Sequence, residues 1–270
     1  VLHGTRGAIV AGALFVLPGA FVVLALSALY LTTSELPAVA GLFYGIKAAV
    51  LAIVLQALLR VAGRALKTRA AWGLAVGAFL ALFLFGVPFP FVILAAGALG
   101  AASKLAPGSG HGEATEAAAD PSAPVRPFRK TLAIAALWLG LWLGPLALVV
   151  LLLGREQVFA QIGAFFSVMA VVTFGGAYAV LAYVAQEAVE TYRWMTAPEM
   201  VDGLGLAETL PGPLIKVTQF VGFLGAYRAA EPFSPVAAGV IGSALTTWVT
   251  FVPPMLLIFA GVIGGLIAFG

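Results

Sequence analysis

AIVAGALFVLPGAFVVLALSALYL, residues 8–31, carries no charged side chain from end to end. A helix rises 1.5 Å per residue, so about 20 apolar residues cross the hydrocarbon layer of a bilayer. The same signal recurs along the chain. Ala38–Leu59 is broken only by Lys47 and Gln56. Ala71–Gly86 and Val87–Ala102 are shorter runs that meet at Gly86-Val87-Pro88-Phe89-Pro90, which reads as a tight hairpin turn. Thr131–Leu153, Val158–Val184, Pro211–Tyr227, Val236–Val252 and Pro254–Phe269 follow. These make about nine hydrophobic segments, some of half length. The expected fold is therefore all-α: a polytopic helical membrane protein with broken or re-entrant helices.

Composition agrees. Of 270 residues 62% are hydrophobic and 9% charged, against about 25% charged in an ordinary soluble domain. Mean hydropathy is +1.10. So few charges cannot cover a soluble protein of this size, which excludes a soluble enzyme, a nucleic-acid binder and a disordered chain. Long unbroken runs exclude the short alternating strands of a membrane β-barrel. The net charge of +3 fits the gathering of Lys and Arg in cytoplasmic loops. The chain has no cysteine, so disulfides and thiolate chemistry are excluded.

The charges are uneven. Lys104, Glu113, Glu116, Asp120, Arg126, Arg129 and Lys130 crowd a segment rich in Gly, Ser and Pro. This divides the chain into a membrane part at 1–103, a cytoplasmic linker at 104–130 and a second membrane part at 131–270. The basic cluster Arg60, Arg64, Lys67 and Arg69 marks its loop as cytoplasmic. Counting crossings from there puts Arg6, the linker and the polar stretch Gln186–Glu208 on the same side, and Glu35 and Gly154-Arg155-Glu156 outside. A weak internal echo relates the two membrane parts. Leu224-Gly225-Ala226-Tyr227-Arg228 with Phe251-Val252-Pro253-Pro254 parallels Leu2-His3-Gly4-Thr5-Arg6 with Phe15-Val16-Leu17-Pro18-Gly19. The chain then holds two related repeats, the first incomplete, an arrangement found in transporters.

Two helix breaks could carry chemistry. Thr173-Phe174-Gly175-Gly176-Ala177-Tyr178 lies inside an apolar run. Its glycines serve either close helix packing or a break whose amides face a cavity. Glu208-Thr209-Leu210-Pro211-Gly212-Pro213-Leu214-Ile215-Lys216-Val217-Thr218-Gln219 cannot continue a helix through Pro-Gly-Pro. Proline suits the first turn of a new helix, so one should start near Pro213 and run through Tyr227. The amides of Leu214 to Lys216 would then lack intrahelical acceptors and carry the positive end of the dipole. An embedded helix start of this kind suits an anion. The bland alternative is an interfacial loop with Lys216 snorkelling to water.

Other residues are weighed in the same way. Lys47 is the tenth residue of its apolar run, where a charge costs about 2.5–3.5 kcal/mol on insertion scales. It should face the protein interior, a substrate or a structural partner. Glu208 is a candidate for proton coupling. Pro18, Gly19, Pro88, Pro90, Pro253 and Pro254 read as kinks or turns. Trp72, Trp138, Trp142, Trp194 and Trp248 supply candidate interfacial anchors. Glu187, Glu190, Trp194 and Met195 suit either an interfacial amphipathic stretch or a solvated loop. His3 and His111 are far apart in sequence, so no metal site is supported. No nucleophile elbow or Walker A motif occurs. No cofactor and no enzymatic activity are expected.

At these residues the chain resembles the chromate ion transporter family, whose repeats carry an F-G-G motif and a downstream P-G-P motif. Here they are Phe174-Gly175-Gly176-Ala177-Tyr178 and Pro211-Gly212-Pro213-Leu214, followed by Val217-Thr218-Gln219-Phe220-Val221-Gly222. Gly12–Pro18, Gly41–Lys47 and Val87–Pro90 resemble the later part of that family's first repeat. Two-repeat members open with their own F-G-G and P-G-P, which this chain lacks before Val1. The resemblance implies export of chromate across the bacterial plasma (inner) membrane, with sulfate as the similar competitor. The chemistry of the two breaks places the expected site at Phe174, Gly175, Gly176, Tyr178, Pro211, Gly212, Pro213, Lys216, Thr218 and Gln219, with Glu208 and Lys47 as coupling or structural charges. The expected partners are a chromate- or sulfate-like oxyanion, lipid, and either a second copy or a missing N-terminal half, but no nucleic acid. A sulfate or other oxyanion permease, or a non-transporting scaffold subunit, is the alternative.

Overall fold

The computed structural model describes residues 4–33, 36–102, 128–172, 177–210 and 213–260. Among them the chain is helical and no strand forms: α1 (Gly4–Thr33), α2 (Pro37–Ala65), α3 (Arg69–Phe83), α4 (Phe89–Ala102), α5 (Phe128–Leu153), α6 (Val158–Val172), α7 (Ala177–Gln186), α8 (Ala197–Thr209), α9 (Val217–Arg228) and α10 (Pro235–Ala260). A π-helical turn, Glu187–Thr191, extends α7, and a 3-10 turn, Leu214–Lys216, precedes α9. Ile9–Thr33, Pro37–Ala65, Leu132–Leu153 and Pro235–Leu256 are long and apolar enough to cross a membrane. Arg69–Phe83, Phe89–Leu99 and Val158–Val172 are shorter apolar helices.

Proline does less damage than its sequence position suggests. Val236–Val252 and Pro254–Phe269 were expected as separate segments, yet α10 runs through Pro253 and Pro254. Pro18 and Pro145 likewise lie inside α1 and α5. A proline removes one amide and leaves a carbonyl unmatched, and neighbouring groups in a helical membrane protein can satisfy it.

The chain divides into two compact units, Val1–Leu51 with Arg126–Gly270, and Ala52–Val125. In the second, α3 and α4 form the expected hairpin. Thr68 caps α3, its Oγ1 accepting from the Ala71 amide at 3.1 Å. Gly86 turns the chain at φ 59°, a left-handed conformation that glycine adopts without strain. No residue of α3 is buried.

In the first unit α10 is the hub, packed by α9, α5 and α6. Phe159, Ile162, Phe166, Phe220, Phe223, Leu224 and Val249 fill the core. Glycine allows the tightest crossing. A β-carbon on Gly242 would come within 2.5 Å of the Gly222 carbonyl oxygen, and one on Gly222 within 3.0 Å of the Gly242 carbonyl. Small residues that admit backbone contact are the usual device for packing helices in lipid. A second cluster covers the π turn, where Tyr192 stacks on Trp194 with ring centroids 4.4 Å apart and Phe165 and Phe166 close over them. Trp194 and Met195 are thus core residues, and the solvated-loop reading does not hold for them. Trp142 donates to Ser167 Oγ at 3.2 Å and Trp248 to the Leu141 carbonyl at 2.8 Å, tying α5 to α6 and α10.

The outer faces are apolar. Leu132, Leu137, Leu148, Leu151 and Leu152 of α5 and Leu14, Phe15 and Phe21 of α1 point away from the protein. In water such continuous apolar surface drives association, and in lipid it is the matched solvent. The chain is a helical membrane protein.

Gly242→Val should cost about 1–3 kcal/mol, the usual penalty of overpacking. Gly73→Val, on α3 where a β-carbon meets nothing within 4 Å, should be close to neutral. Unfolding midpoints of the two variants in detergent check the contrast.

Candidate functional site

α8 begins with a capping box. Thr196 donates its amide to Glu199 Oε2 at 2.8 Å, and Pro198 occupies the first turn. The helix ends at Thr209, one residue past the partly exposed Glu208. Pro213 is extended, at φ −70° and ψ 134°, and Leu214–Lys216 forms the 3-10 turn that opens α9. A helix therefore starts where Pro-Gly-Pro predicted. One detail differs: the Lys216 amide donates to the Pro213 carbonyl at 3.1 Å. A 3-10 turn closes one residue sooner than an α turn, so Lys216 is not one of the open amides. Pro211 and Gly212 lie outside the described residues.

Lys216 is buried, with 3% of its surface exposed. Its head lies against the backbone of α1, where a β-carbon on Gly19 would collide with Nζ. Three residues on, Gln219 Nε2 donates to the Ala20 carbonyl at 2.8 Å. So Gly19 and Ala20, next to Pro18, form the opposite wall of the α9 start. Their only sequence signal was the Pro18-Gly19 pair inside an apolar run. Thr218 Oγ1 donates back to the Ile215 carbonyl at 2.7 Å, so its proton serves the helix turn. Ala20 and Gln219 also line a cavity of about 780 Å³ between α1, α5 and α10, whose wall is otherwise mostly apolar.

Phe174, Gly175 and Gly176 lie outside the described residues, and Tyr178 is described only as a residue of α7. α7 packs against the Leu214–Lys216 turn, so α7 and the start of α9 are neighbours.

Lys47 lies elsewhere on the unit. Its Nζ is 3.1 Å from Asp202 Oδ1, and Tyr30 donates to Asp202 Oδ2 at 2.9 Å. Asp202 is 5% exposed. The sequence reading put it in a polar cytoplasmic stretch; in the fold Met200, Asp202, Gly203, Gly205 and Ala207 of α8 are all buried. Nearby, Arg228 of α9 pairs with Glu199 and also donates to the Trp194 carbonyl at 2.9 Å. Burial alone would raise the Glu199 carboxyl, but the Arg228 guanidinium and the Thr196 amide and hydroxyl outweigh it and hold it below its ordinary value. Among the described residues no group of His, Asp and Glu could hold a metal ion.

A helical bundle with apolar outer faces, a buried lysine at the start of α9 and an ion pair between α2 and α8 defines an integral membrane protein. The chain belongs to the chromate transporter family, which it matches over residues 1–101 and 160–268. It is 31% identical over 253 residues to a chromate transport protein of Pseudomonas aeruginosa, covering 93% of this chain and 54% of that one. A chromate transport protein of Cupriavidus metallidurans is 25% identical, covering 92% and 54%. A probable chromate transport protein of Synechococcus elongatus is 24% identical, covering 95% and 58%. The chain thus spans about half the length of these relatives. No solved structure matches it.

Because the Glu199 carboxyl is held low, its contribution to stability is present above its ordinary value of 4.5 and is lost as pH falls through the lower folded value. Glu199→Gln should flatten the acid limb of the stability–pH curve and leave its shape at neutral pH. Thermal midpoints across that range check it.

Proposed function

We propose that this chain forms the anion-handling part of a secondary transporter that exports chromate, a tetrahedral dianion, across the bacterial inner membrane. The observation that carries the reading is Lys216, a buried cation in the first turn of a helix that starts beside a Pro-Gly-Pro break. A cation there opposes the helix dipole, and an embedded lysine costs about 2.5–3.5 kcal/mol on insertion scales. A bound dianion reverses both signs, since the dipole and the ammonium then act on it together. Membership of the chromate transporter family supports chromate as the anion.

In this reading the Pro211–Gly212–Pro213 break and the Phe174–Gly175–Gly176 segment form the two sides of the binding cavity. Lys216 supplies the charge, and the amides of Leu214 and Ile215 complete the helix-start donors. Gln219 turns its amide from the Ala20 carbonyl to the anion, while Tyr178 donates from α7. Thr218 holds the turn through Ile215. Gly175, Gly176, Gly212 and Gly19 leave the backbone bare, so the anion and the lysine head can come close. Sulfate has the same shape and charge and competes for the same site.

Hydrogen bonds to charged groups are worth about 1.5–3 kcal/mol, and 1.4 kcal/mol is tenfold. Lys216→Met should therefore lower chromate flux in proteoliposomes by about tenfold to hundredfold. Gly19→Ala should keep the fold, because the atom it strikes is the end of a flexible side chain, and should still depress flux by displacing the ammonium. Full flux in both variants would sink the site. Unlabelled sulfate should inhibit labelled chromate uptake in the parent protein.

A further inference from the structure

Residues 60–69 hold four cations, Arg60, Arg64, Lys67 and Arg69, and no acid. Indeed no Asp or Glu occurs between Glu35 and Glu113. All four cations are exposed, and among the described residues none has an ion-pair partner.

The backbone gathers them at one level. At 1.5 Å per residue α2 covers about 33 Å from Ala38 to Arg60, close to the thickness of one hydrocarbon core. The cluster therefore begins where the apolar run of α2 ends. Arg60 and Arg64 are four residues apart on α2 and share a face. Lys67 lies in the link, and Arg69 is the first residue of α3. Trp72 follows Arg69 by three residues on α3, and its side chain is 55% exposed. An indole beside cations at the end of an apolar run belongs at the headgroup level of a membrane. Leu58, Leu59 and Val61 are exposed around the arginines, so among the described residues no protein wall separates the cluster from lipid.

Charges of one sign gathered in this way oppose the fold. Like charges at i, i+4 destabilise a helix, and Arg69 meets the positive end of the α3 dipole. The Thr68 cap on the Ala71 amide brings no charge to offset either. A bound anion reverses both effects. Three of the four cations are arginine, whose planar fork matches paired phosphate oxygens better than the point charge of lysine. Trp72 and the exposed leucines add an apolar contact beside the charge, which suits a phosphate that carries acyl chains. We infer that residues 60–72 form a docking surface for an anionic phospholipid. Arg60, Arg64, Lys67 and Arg69 hold the headgroup phosphate, and Trp72 packs on the glycerol and the chain ends. The inference is independent of the anion-transport reading, whose Lys216 belongs to the other compact unit.

The test uses the full chain in mixed micelles with equal phosphatidylglycerol and phosphatidylcholine, and reads the retained lipid by native mass spectrometry. The parent protein should retain phosphatidylglycerol in preference. Arg60→Gln with Arg64→Gln should lower that preference by about fivefold for each cation removed, and added salt should lower it in the parent. Arg155→Gln, which removes a cation from the turn before α6, should leave it unchanged. Lys67→Gln, in the link where no helix is disturbed, carries the same test should the double variant unfold. Equal retention of both lipids by the parent would overturn the inference. If a preference then emerges in Glu113→Gln with Glu116→Gln and Asp120→Asn, the occupant is the chain's own acidic linker. Preference retained in both the double variant and Lys67→Gln would also overturn it. Competition by glycerol phosphate as strong as by phosphatidylglycerol would replace the lipid with a free phosphate.

Discussion

Hydrocarbon offers a peptide group nothing to bond with, so each interruption of a helix must be made good by the protein itself. This constraint runs through the first unit. The 3-10 turn at Leu214–Lys216 closes the Lys216 amide onto Pro213, and Thr218 returns its proton to the Ile215 carbonyl. Gln219 reaches across to the Ala20 carbonyl, two residues beyond Pro18 of α1. Ser27 and Thr246 bond back to Val23 and Gly242 within their own helices. What remains costly is charge. Lys216 and Asp202 are buried where water would otherwise solvate them, and each sits against an element distant in sequence.

The packing that permits this is built on absent side chains. Gly222 and Gly242 let α9 and α10 meet backbone to backbone, Gly205 receives Ile46 of α2, and Gly19 receives the head of Lys216. The hydrophobic effect does not drive one apolar helix onto another in lipid, so close van der Waals contact and interhelical hydrogen bonds take its place. The large apolar side chains of α1 and α5 are accordingly turned outward. The aromatic cluster of Phe165, Phe166, Tyr192 and Trp194 clamps the π turn that follows α7.

Part of the candidate site was legible in the sequence. Pro-Gly-Pro cannot sit inside a helix, so the break at 211–213 and the helix beyond it followed from local chemistry. Lys47 stood out because a charge in an apolar run needs a partner. The partner itself was hidden. Asp202 lies among Glu187, Glu190, Arg193 and Glu199, a density of charge that reads as solvated loop. In the fold that stretch is helical, and one face of α8 is packed inside. Pro253-Pro254 misled in the opposite sense, since a pair that would end a soluble helix is carried within α10.

Composition and periodicity alone determined that the chain is a bundle of membrane helices, where most of them run, and where one must break. These follow from the transfer of residues to lipid and from backbone geometry, both local properties of the chain. Only the tertiary structure decided what each embedded charge meets. Lys47 and Asp202 are remote in sequence, as are Lys216 and Gly19, and their approach depends on how helices cross. That is set by where glycine leaves room and where a neighbouring helix supplies the missing hydrogen bond.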